Sequence, residues 1–185
     1  IAGIEKFINL DTLYCTNNHL TQLDISGNTS LKLLWCFSNQ LTNLDVSSNT
    51  GLRRLGCGYN KLANLDLSGN INLSLLECSG NQLEILDIRN NQELGFNDLW
   101  YEYDDDYDII IADMPSLGEV CIWESFPAWI DIDTTGSANV CFETDCNGTC
   151  GEDPTKVMIN DFDLTGLSVF PNPASSLITI KTEKT

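Results

Sequence analysis

The sequence predicts a solenoid, a stack of coils that each contribute a short parallel β-strand, with little or no α-helix. Two observations support this fold class. The cysteines of the first half recur every 21 residues, at Cys15, Cys36, Cys57 and Cys78. Leucines and asparagines repeat around them with the same period, and a fixed period of about 20 to 50 residues is typical of stacked-repeat architectures.

Nine matched positions make up each copy of the repeat. In the second copy this repeat frame consists of Leu31, Leu34, Cys36, Asn39, Leu41, Leu44, Asp45, Val46 and Asn49. Apolar residues spaced three apart in a tight coil point inward, so stacked coils merge their small cores into one. An asparagine side chain has a donor and an acceptor, so it can satisfy backbone groups where the chain turns. Successive coils are expected to pair as parallel strands about 4.8 Å apart.

The pattern L-x-x-L-x-C-x-x-N-x-L resembles the leucine-rich-repeat signature, with cysteine in place of its third leucine. It is similar to the cysteine-ladder repeats of internalin J-like proteins and of many secreted Bacteroidetes leucine-rich-repeat proteins. The resemblance covers roughly residues 1–122 and implies a leucine-rich-repeat solenoid. Those relatives are mostly surface proteins in adhesion or ligand binding, so a recognition role is implied.

The fifth coil is altered, as a terminal repeat that closes a solenoid core often is. Leu94 falls in register, an acidic insert occupies residues 101–108, and the frame then resumes at Ile109, Ile111 and Leu117. A last strand is expected to begin at Val120. We therefore expect four segments along the chain: a solenoid of about five coils (1–120), a C-terminal cap (121–152), a linker (153–166) and the start of a further domain (167–185).

Residues 167–180 resemble the opening of the C-terminal sorting domain of the Bacteroidetes type IX secretion system. The proline-asparagine-proline turn at residues 171–173, followed by an alternating strand, carries this resemblance. That domain is usually several strands long, and about one of them is present. The resemblance implies export across the outer membrane, with the secretion machinery as a partner and the protein released or anchored at the cell surface.

Charge and hydropathy exclude several classes of partner. The net charge is −18, with 9 acids and 6 bases in residues 1–94 and 18 acids and 3 bases in residues 95–185. Such a chain repels phosphate groups, which excludes nucleic acid and anionic membranes. No apolar run approaches the roughly 20 residues that span a bilayer. A signal-peptide start is missing and the sequence opens in repeat-like residues, so we expect further sequence upstream.

The eight cysteines form two sets. Those of the repeat frame are expected to be reduced core residues, because side-by-side positions on parallel strands suit disulfide geometry poorly. Metal binding is the weaker interpretation, since neither C-x-x-C pairs nor nearby histidines accompany them. The second set is expected to form two disulfides in an exported chain, with three pairings open; it consists of Cys121, Cys141, Cys146 and Cys150. This stretch resembles the disulfide-closed cap of the Bacteroidetes proteins, which implies pairing of Cys121 with Cys141 or Cys146.

Outward positions vary from copy to copy in the half of each repeat that carries cysteine, the cysteine half. In the other half, the aspartate half, they are nearly constant. Variable positions on a fixed frame can encode a ligand, so we place the binding face on the cysteine-half strands, with contacts from Tyr14, Trp35, Phe37, Arg54 and Glu77. The three aromatic residues would form an exposed patch suited to a sugar ring or a partner protein. The alternative is that an N-terminal coil or a flanking segment covers them.

Four aspartates of the frame would stack about 4.8 Å apart and repel one another; they are Asp24, Asp45, Asp66 and Asp87. Each is expected to accept hydrogen bonds from local backbone or serine groups. No cofactor is expected, but calcium is an alternative both here and in the insert, at Glu102, Asp104, Asp105, Asp106 and Asp108. Residues 131–136 begin like a calcium loop, but Phe142 stands where an EF-hand needs its bidentate glutamate.

No residue pattern indicates catalysis. The only histidine, His19, lies at an expected turn, where it would face away from the inward Cys15. There is no G-x-S-x-G, phosphate-loop or H-E-x-x-H motif. The sequence therefore predicts a non-enzymatic recognition module of a secreted or cell-surface protein, with a protein or glycan ligand. The alternative is a structural spacer or accessory segment that displays another domain.

Overall fold

The computed structural model of the protein describes residues 3–96, 108–127, 129–137, 140–144 and 146, together with the backbone of strands at 158–159, 168–171 and 178–181. Residues 101–107 of the acidic insert, Cys150 and most of the linker lie outside the described residues. Within the described part, the only helical element is a 3-10 turn at Ile4–Lys6. None of these residues belongs to a helix long and apolar enough to cross a membrane. The expected class, a parallel β-solenoid with almost no helix, is confirmed.

The cysteine halves of six coils form one parallel sheet, the cysteine-half sheet. Its strands are β1 Thr12–Tyr14, β2 Leu33–Trp35, β3 Arg54–Gly56, β4 Leu75–Glu77, β6 Ile109–Ile110 and β8 Ile132–Asp133. We number the coils 1 to 6 after these strands. The register keeps the 21-residue frame in phase, because Leu34 of coil 2 lies beside Leu13 and Leu55 of its neighbours.

The aspartate halves form a second sheet near the C-terminal end. Its parallel strands are β5 Ile85–Asp87, β7 Glu119–Cys121 and β9 Val140–Glu143, and β10 Met158–Ile159 joins β9 antiparallel. A separate hairpin pairs β11 Ser168–Pro171 with β12 Ile178–Lys181. The sequence predicted that the strand at Val120 is the last of the solenoid. Both large sheets instead continue past it, with β8 in the first and β9 in the second.

The core lies between the two halves of each coil. Leu34 and Leu55 of the cysteine half have no exposed surface, and Val46 and Leu67 of the aspartate half expose 1% in the same cluster. The cysteines of the repeat frame are free and buried in this cluster, so the prediction of reduced core residues is confirmed. Burial raises the pKa of all four thiols, because a thiolate loses its hydration there.

The frame asparagines after each cysteine connect successive coils. The Nδ2 of Asn60 donates to the carbonyls of Cys36 in the preceding coil (3.1 Å), Cys57 (2.9 Å) and Gly58 (3.2 Å). Its Oδ1 accepts the Leu41 N–H at 3.0 Å. The corresponding asparagines one coil earlier and one coil later make the same set of bonds. This amide ladder satisfies backbone groups that the strands leave unpaired at the turn.

The sixth coil keeps this arrangement with other residues. Thr134 and Ser137, at 8% and 6% exposed, take the cysteine and asparagine positions. The Oγ of Ser137 donates to the Ile111 carbonyl (2.6 Å) and accepts the Met114 N–H (2.8 Å), as an asparagine amide would. Residues 131–136, which the sequence marked only as an incomplete calcium loop, are therefore part of a coil.

Disulfides hold the C-terminal end of the second sheet. Cys121 of β7 is joined to Cys146, which is one of the two partners that the resemblance to the Bacteroidetes cap implied. Cys141 of β9 is also disulfide-bonded. Cys121 and Cys141 have no exposed surface, and Glu119 beside them exposes only 3%. The disulfide therefore places Cys146 against the outer side of this sheet at Asp87 and Cys121.

Candidate recognition face

The outward side of the cysteine-half sheet, here called the recognition face, is built from aligned rows with one residue per coil. Because side chains alternate along a strand, the residues immediately before and after each buried leucine point to this side. The central row runs across the sheet as Tyr14, Trp35, Gly56, Glu77, Ile110 and Asp133. These neighbours differ in size and charge, whereas the leucine row beneath them is nearly constant.

The expected exposed aromatic patch is corrected at Trp35. Tyr14 is 54% exposed, but Trp35 is only 8% exposed. The indole lies over Gly56 of the next coil, where an added Cβ would overlap its ring. Phe37 stacks on the indole with ring centroids 5.0 Å apart and an interplanar angle of 17°, and is itself half-buried. The structure thus brings Trp35 and Phe37 together in a surface depression that exists because Gly56 has no side chain.

Glu77 of coil 4 packs over a second glycine of coil 3. A Cβ on Gly58 would come within 2.5 Å of both carboxylate oxygens, so the side chain lies over that glycine. The carboxylate accepts the N–H groups of Gly58 (3.1 Å) and Ser79 (3.2 Å). Glu77 is 8% exposed, and Arg54 of the flanking row is half-buried. Two of the five expected contact residues, Trp35 and Glu77, are therefore mainly buried.

Tyr59 is an exposed aromatic residue of this face that the sequence analysis missed. It belongs to a row at the edge of the sheet in which each coil has a positive φ, as at Tyr59 (52°) and Gly80 (61°). The Tyr59 ring lies over Gly80, and its hydroxyl donates to Asp113 Oδ2 at 3.1 Å, two coils away. That hydrogen bond is the main cause of the raised pKa of Tyr59. The sequence signal that could have identified Tyr59 is the glycine 21 residues later, Gly80, which leaves space for the ring on the next coil.

Charge is distributed unevenly along the recognition face. The basic side chains belong to coils 2 and 3: Arg54 lies in a row of the face, and Lys32 and Arg53 are exposed one residue before β2 and β3. The acidic side chains belong to coils 4 to 6, apart from Asp11 in coil 1, and are those of Glu77, Asp108, Asp113, Asp131 and Asp133. Burial raises the pKa of Asp108, and the nearby Asp131 carboxylate adds to that shift.

A second exposed aromatic cluster borders the acidic end of the face. Phe96 and Trp129 are 56% and 51% exposed and meet edge to face with centroids 4.9 Å apart. They converge at Gly95, where an added Cβ would come 2.7 Å from the Trp129 ring and 3.3 Å from Asp108 Oδ2. Exposed aromatic surface therefore flanks the carboxylates of coils 5 and 6 on the side opposite Tyr59.

The aspartate half behaves as a structural surface. Asp24 accepts the backbone N–H of Ser26 (3.0 Å) and its hydroxyl (2.7 Å), which lowers the pKa of Asp24. The next two frame aspartates accept the backbone N–H of the serine two residues later at 2.9 Å, and the fourth accepts from Arg89 at 2.6 Å. The expected local hydrogen bonding is therefore confirmed. The insert residues weighed as calcium ligands, Glu102, Asp104, Asp105 and Asp106, lie outside the described residues.

Within the described part of the chain, one group of three metal-ligating side chains lies within 4.8 Å of one another, and it consists of Asp87, Cys121 and Cys146. Both sulfurs belong to the disulfide. Among the described carboxylates of the recognition face, no three lie within 4.8 Å of one another. A cluster of close carboxylates, which calcium binding would need, is thus not among the described residues.

Comparison with known proteins assigns no family to the chain. No family model matches the chain, and no curated protein matches it. Among solved structures it is similar to the functional domain of InlJ from Listeria monocytogenes, which includes a cysteine ladder. Identity is 21% over 72% of this chain, and the TM-score is 0.31. The match spans 45% of the InlJ chain, so the fold assignment rests on the repeat and strand pairing described above.

Proposed function

We propose that the protein is a recognition module of a secreted or cell-surface protein and that its recognition face binds a protein or glycan ligand. The observation that carries the proposal is the contrast between the rows of the sheet. The buried leucine row is nearly uniform, while the row above it changes from tyrosine to tryptophan, glycine and glutamate in four coils. Stacking of coils requires uniform inward residues but places no such demand on outward ones.

Ligand contact would come first from Tyr14 and from the exposed parts of Phe37 and Arg54. Trp35 and Glu77 would act mainly from below, since each is 8% exposed. In this arrangement the buried indole holds Phe37 in one orientation through ring stacking. A rigid aromatic surface loses little conformational entropy on binding, which favours affinity.

The disulfides and the C-terminal resemblance support a secreted or cell-surface location. The Cys121–Cys146 disulfide and the disulfide-bonded Cys141 need an oxidising compartment to form and persist. The resemblance of residues 167–180 to a type IX sorting domain supports export by that route. Mass spectrometry of unreduced protein secreted by its native host should find Cys121 linked to Cys146. Free thiols at both positions would contradict the proposed export.

Binding can be tested with a matched pair of variants. Tyr14→Ala removes a side chain that is 54% exposed on the recognition face, whereas Ile85→Ala removes one that is 51% exposed on the opposite sheet. Both variants and the wild type would be applied to a glycan array and to a panel of purified surface proteins. The proposal expects a ligand that Tyr14→Ala weakens at least tenfold, about 1.4 kcal/mol, and Ile85→Ala does not.

A structural spacer is the second candidate, because the amide ladder connects coils 1 to 4, each to the next, at distances of 2.9 to 3.1 Å. Such continuous hydrogen bonding would make a stiff rod that displays another domain. A spacer function expects no ligand in either panel and no effect of Tyr14→Ala on the biological role. Binding of any ligand through Tyr14 would contradict the spacer as the main function.

A further inference from the structure

The recognition face has opposite charges at its two ends. On the face or at its border, coils 2 and 3 carry three basic side chains and no acidic one, whereas the described positions of coils 4 to 6 carry four accessible carboxylates, the buried Glu77 and no basic side chain. Asp131 and Asp113 are exposed, and Asp133 and Asp108 are half-buried. Neighbouring like charges at one end of a sheet repel one another and oppose folding. A bound cation that neutralises them therefore stabilises the folded state.

Exposed aromatic residues lie on both sides of these carboxylates. Tyr59, 53% exposed, is held over Gly80 by its hydrogen bond to Asp113. On the other side, Trp129 and Phe96 form an edge-to-face pair next to Asp108. Guanidinium and ammonium groups bind to aromatic faces and to carboxylates at once, whereas an inorganic cation gains from the carboxylates alone.

We infer that the recognition face binds an extended segment of a partner protein, with arginine or lysine side chains over coils 4 to 6 and an acidic end over coils 2 and 3. This inference rests on the proposed recognition function and specifies its ligand class. The basic residues Lys32, Arg53 and Arg54 would repel a uniformly basic segment, so the order of charges sets the direction in which the segment lies.

The dimensions fit a short peptide. Six strands about 4.8 Å apart extend over roughly 24 Å, and an extended chain advances about 3.3 Å per residue. Some seven or eight residues running across the strands would therefore reach from coil 1 to coil 6. Their first and last side chains would lie over charges of opposite sign.

A second copy of this chain is a poor occupant, because both molecules carry a net charge of −18 and repel each other. The same charge attracts a basic partner from a distance and raises its association rate at low salt. A metal ion is also disfavoured, since the face carboxylates include no group of three within 4.8 Å in the part of the chain that the structure describes.

The test uses two synthetic peptides of ten residues and the full chain. One peptide, the block peptide, has two glutamates at one end and three arginines at the other. Its isomer has the same composition with the charges alternating. Binding is measured by fluorescence anisotropy at about 20 mM and 150 mM salt. We expect the block peptide to bind at least tenfold more tightly than the isomer, with weaker binding at the higher salt.

Variants then locate the site. Asp131→Asn with Asp133→Asn removes two face charges, while Asn at 133 retains the oxygen that accepts the Thr135 N–H at 2.9 Å. Glu84→Gln with Glu93→Gln makes the same change of net charge at exposed positions in the aspartate half. The first pair should weaken block-peptide binding at least tenfold and the second less than twofold. Urea denaturation of both verifies that they remain folded.

Three results would overturn the inference: equal binding of both peptides, no binding of either, or equal effects of the two variant pairs. Displacement of the block peptide by calcium at matched ionic strength would assign the carboxylates to a metal and overturn it too. If a ligand from the arrays depends on Tyr14 but not on Asp131 and Asp133, the recognition function stands and the charge-directed segment does not.

Discussion

Replacement of Gly56 by alanine tests the packing that buries Trp35. Gly56 lies in β3 with a negative φ, so alanine imposes no backbone strain there. Its Cβ would nevertheless overlap the indole of Trp35 and the ring edge of Phe37. The overlap can be relieved only if the indole moves away from the sheet and into water, because the backbone of β3 is paired on both sides.

The magnitude follows from the area that the indole buries. A tryptophan buries about 200 Å², which at about 25 cal/mol per Å² gives an upper bound of about 5 kcal/mol for full burial. Water can refill a surface depression and the unfolded chain already buries part of this area, so we expect about 2–3 kcal/mol for Trp35→Ala. Gly56→Ala displaces the ring without removing it and should destabilise by about 1–3 kcal/mol.

A double-mutant cycle separates this packing from independent effects. Once Trp35 is alanine, the Cβ at position 56 has free space, so Trp35→Ala with Gly56→Ala should be about as stable as Trp35→Ala alone. The coupling free energy then equals the cost of Gly56→Ala alone, about 1–3 kcal/mol. Urea denaturation followed by far-ultraviolet circular dichroism gives each free energy of unfolding. Gly69→Ala is the control, because its Cβ would make an ordinary 3.8 Å contact with the Ser47 carbonyl.

Additive free energies in the cycle would refute the packing argument. So would a Gly56→Ala protein as stable as Gly69→Ala. In either case Trp35 would have to leave the depression in solution, and the exposed aromatic patch expected from the sequence would be correct after all.

Three further predictions concern the core, the thiols and pH. Asn60→Leu leaves buried carbonyls and the Leu41 N–H unpaired and should destabilise by more than about 3 kcal/mol, whereas the exposed Asn18→Leu should cost about 1 kcal/mol; equal urea midpoints would contradict this. The frame thiols should not react with Ellman's reagent at pH 8 until the chain unfolds, because burial raises their pKa, and Cys57→Ala should lower stability by about 1–2 kcal/mol without loss of any binding activity. Rapid reaction of the native thiols, or lost binding in a folded Cys57→Ala protein, would count against core filling. The pKa of Asp108 is raised by folding, so its charged form destabilises the folded state; this cost is complete above the folded pKa and absent below the unfolded value of about 3.9. Asp108→Asn should therefore be more stable than the wild type at pH 7 and equally stable near pH 3, as measured by urea denaturation. A variant less stable than the wild type at pH 7 would contradict this.

The fold was predictable because its information is local and repeated. Each coil places the same residue types inward at the same positions, so Leu34, Cys36 and Asn39 mark one coil as surely as their counterparts mark the next. The reduced state of the frame cysteines followed from parallel-strand geometry, and the aspartate hydrogen bonds followed from a serine two residues away. Both are properties of a single coil and its frame.

Contacts between coils were decided only by the tertiary structure. Trp35 is buried because a residue 21 positions later has no side chain, so its exposure depends on the size of Gly56 and not on its own position in the strand. The sixth coil does not fit the 21-residue frame, because Thr134 follows Ile111 by 23 residues. The serine hydroxyl of Ser137 also replaces the asparagine amide of the frame. The pairing of Cys121 with Cys146 depends on where the chain after β9 places Cys146 relative to β7. A periodic sequence determines its own stacking, but side chains that lie across neighbouring coils are fixed by size and charge at positions that the period does not control.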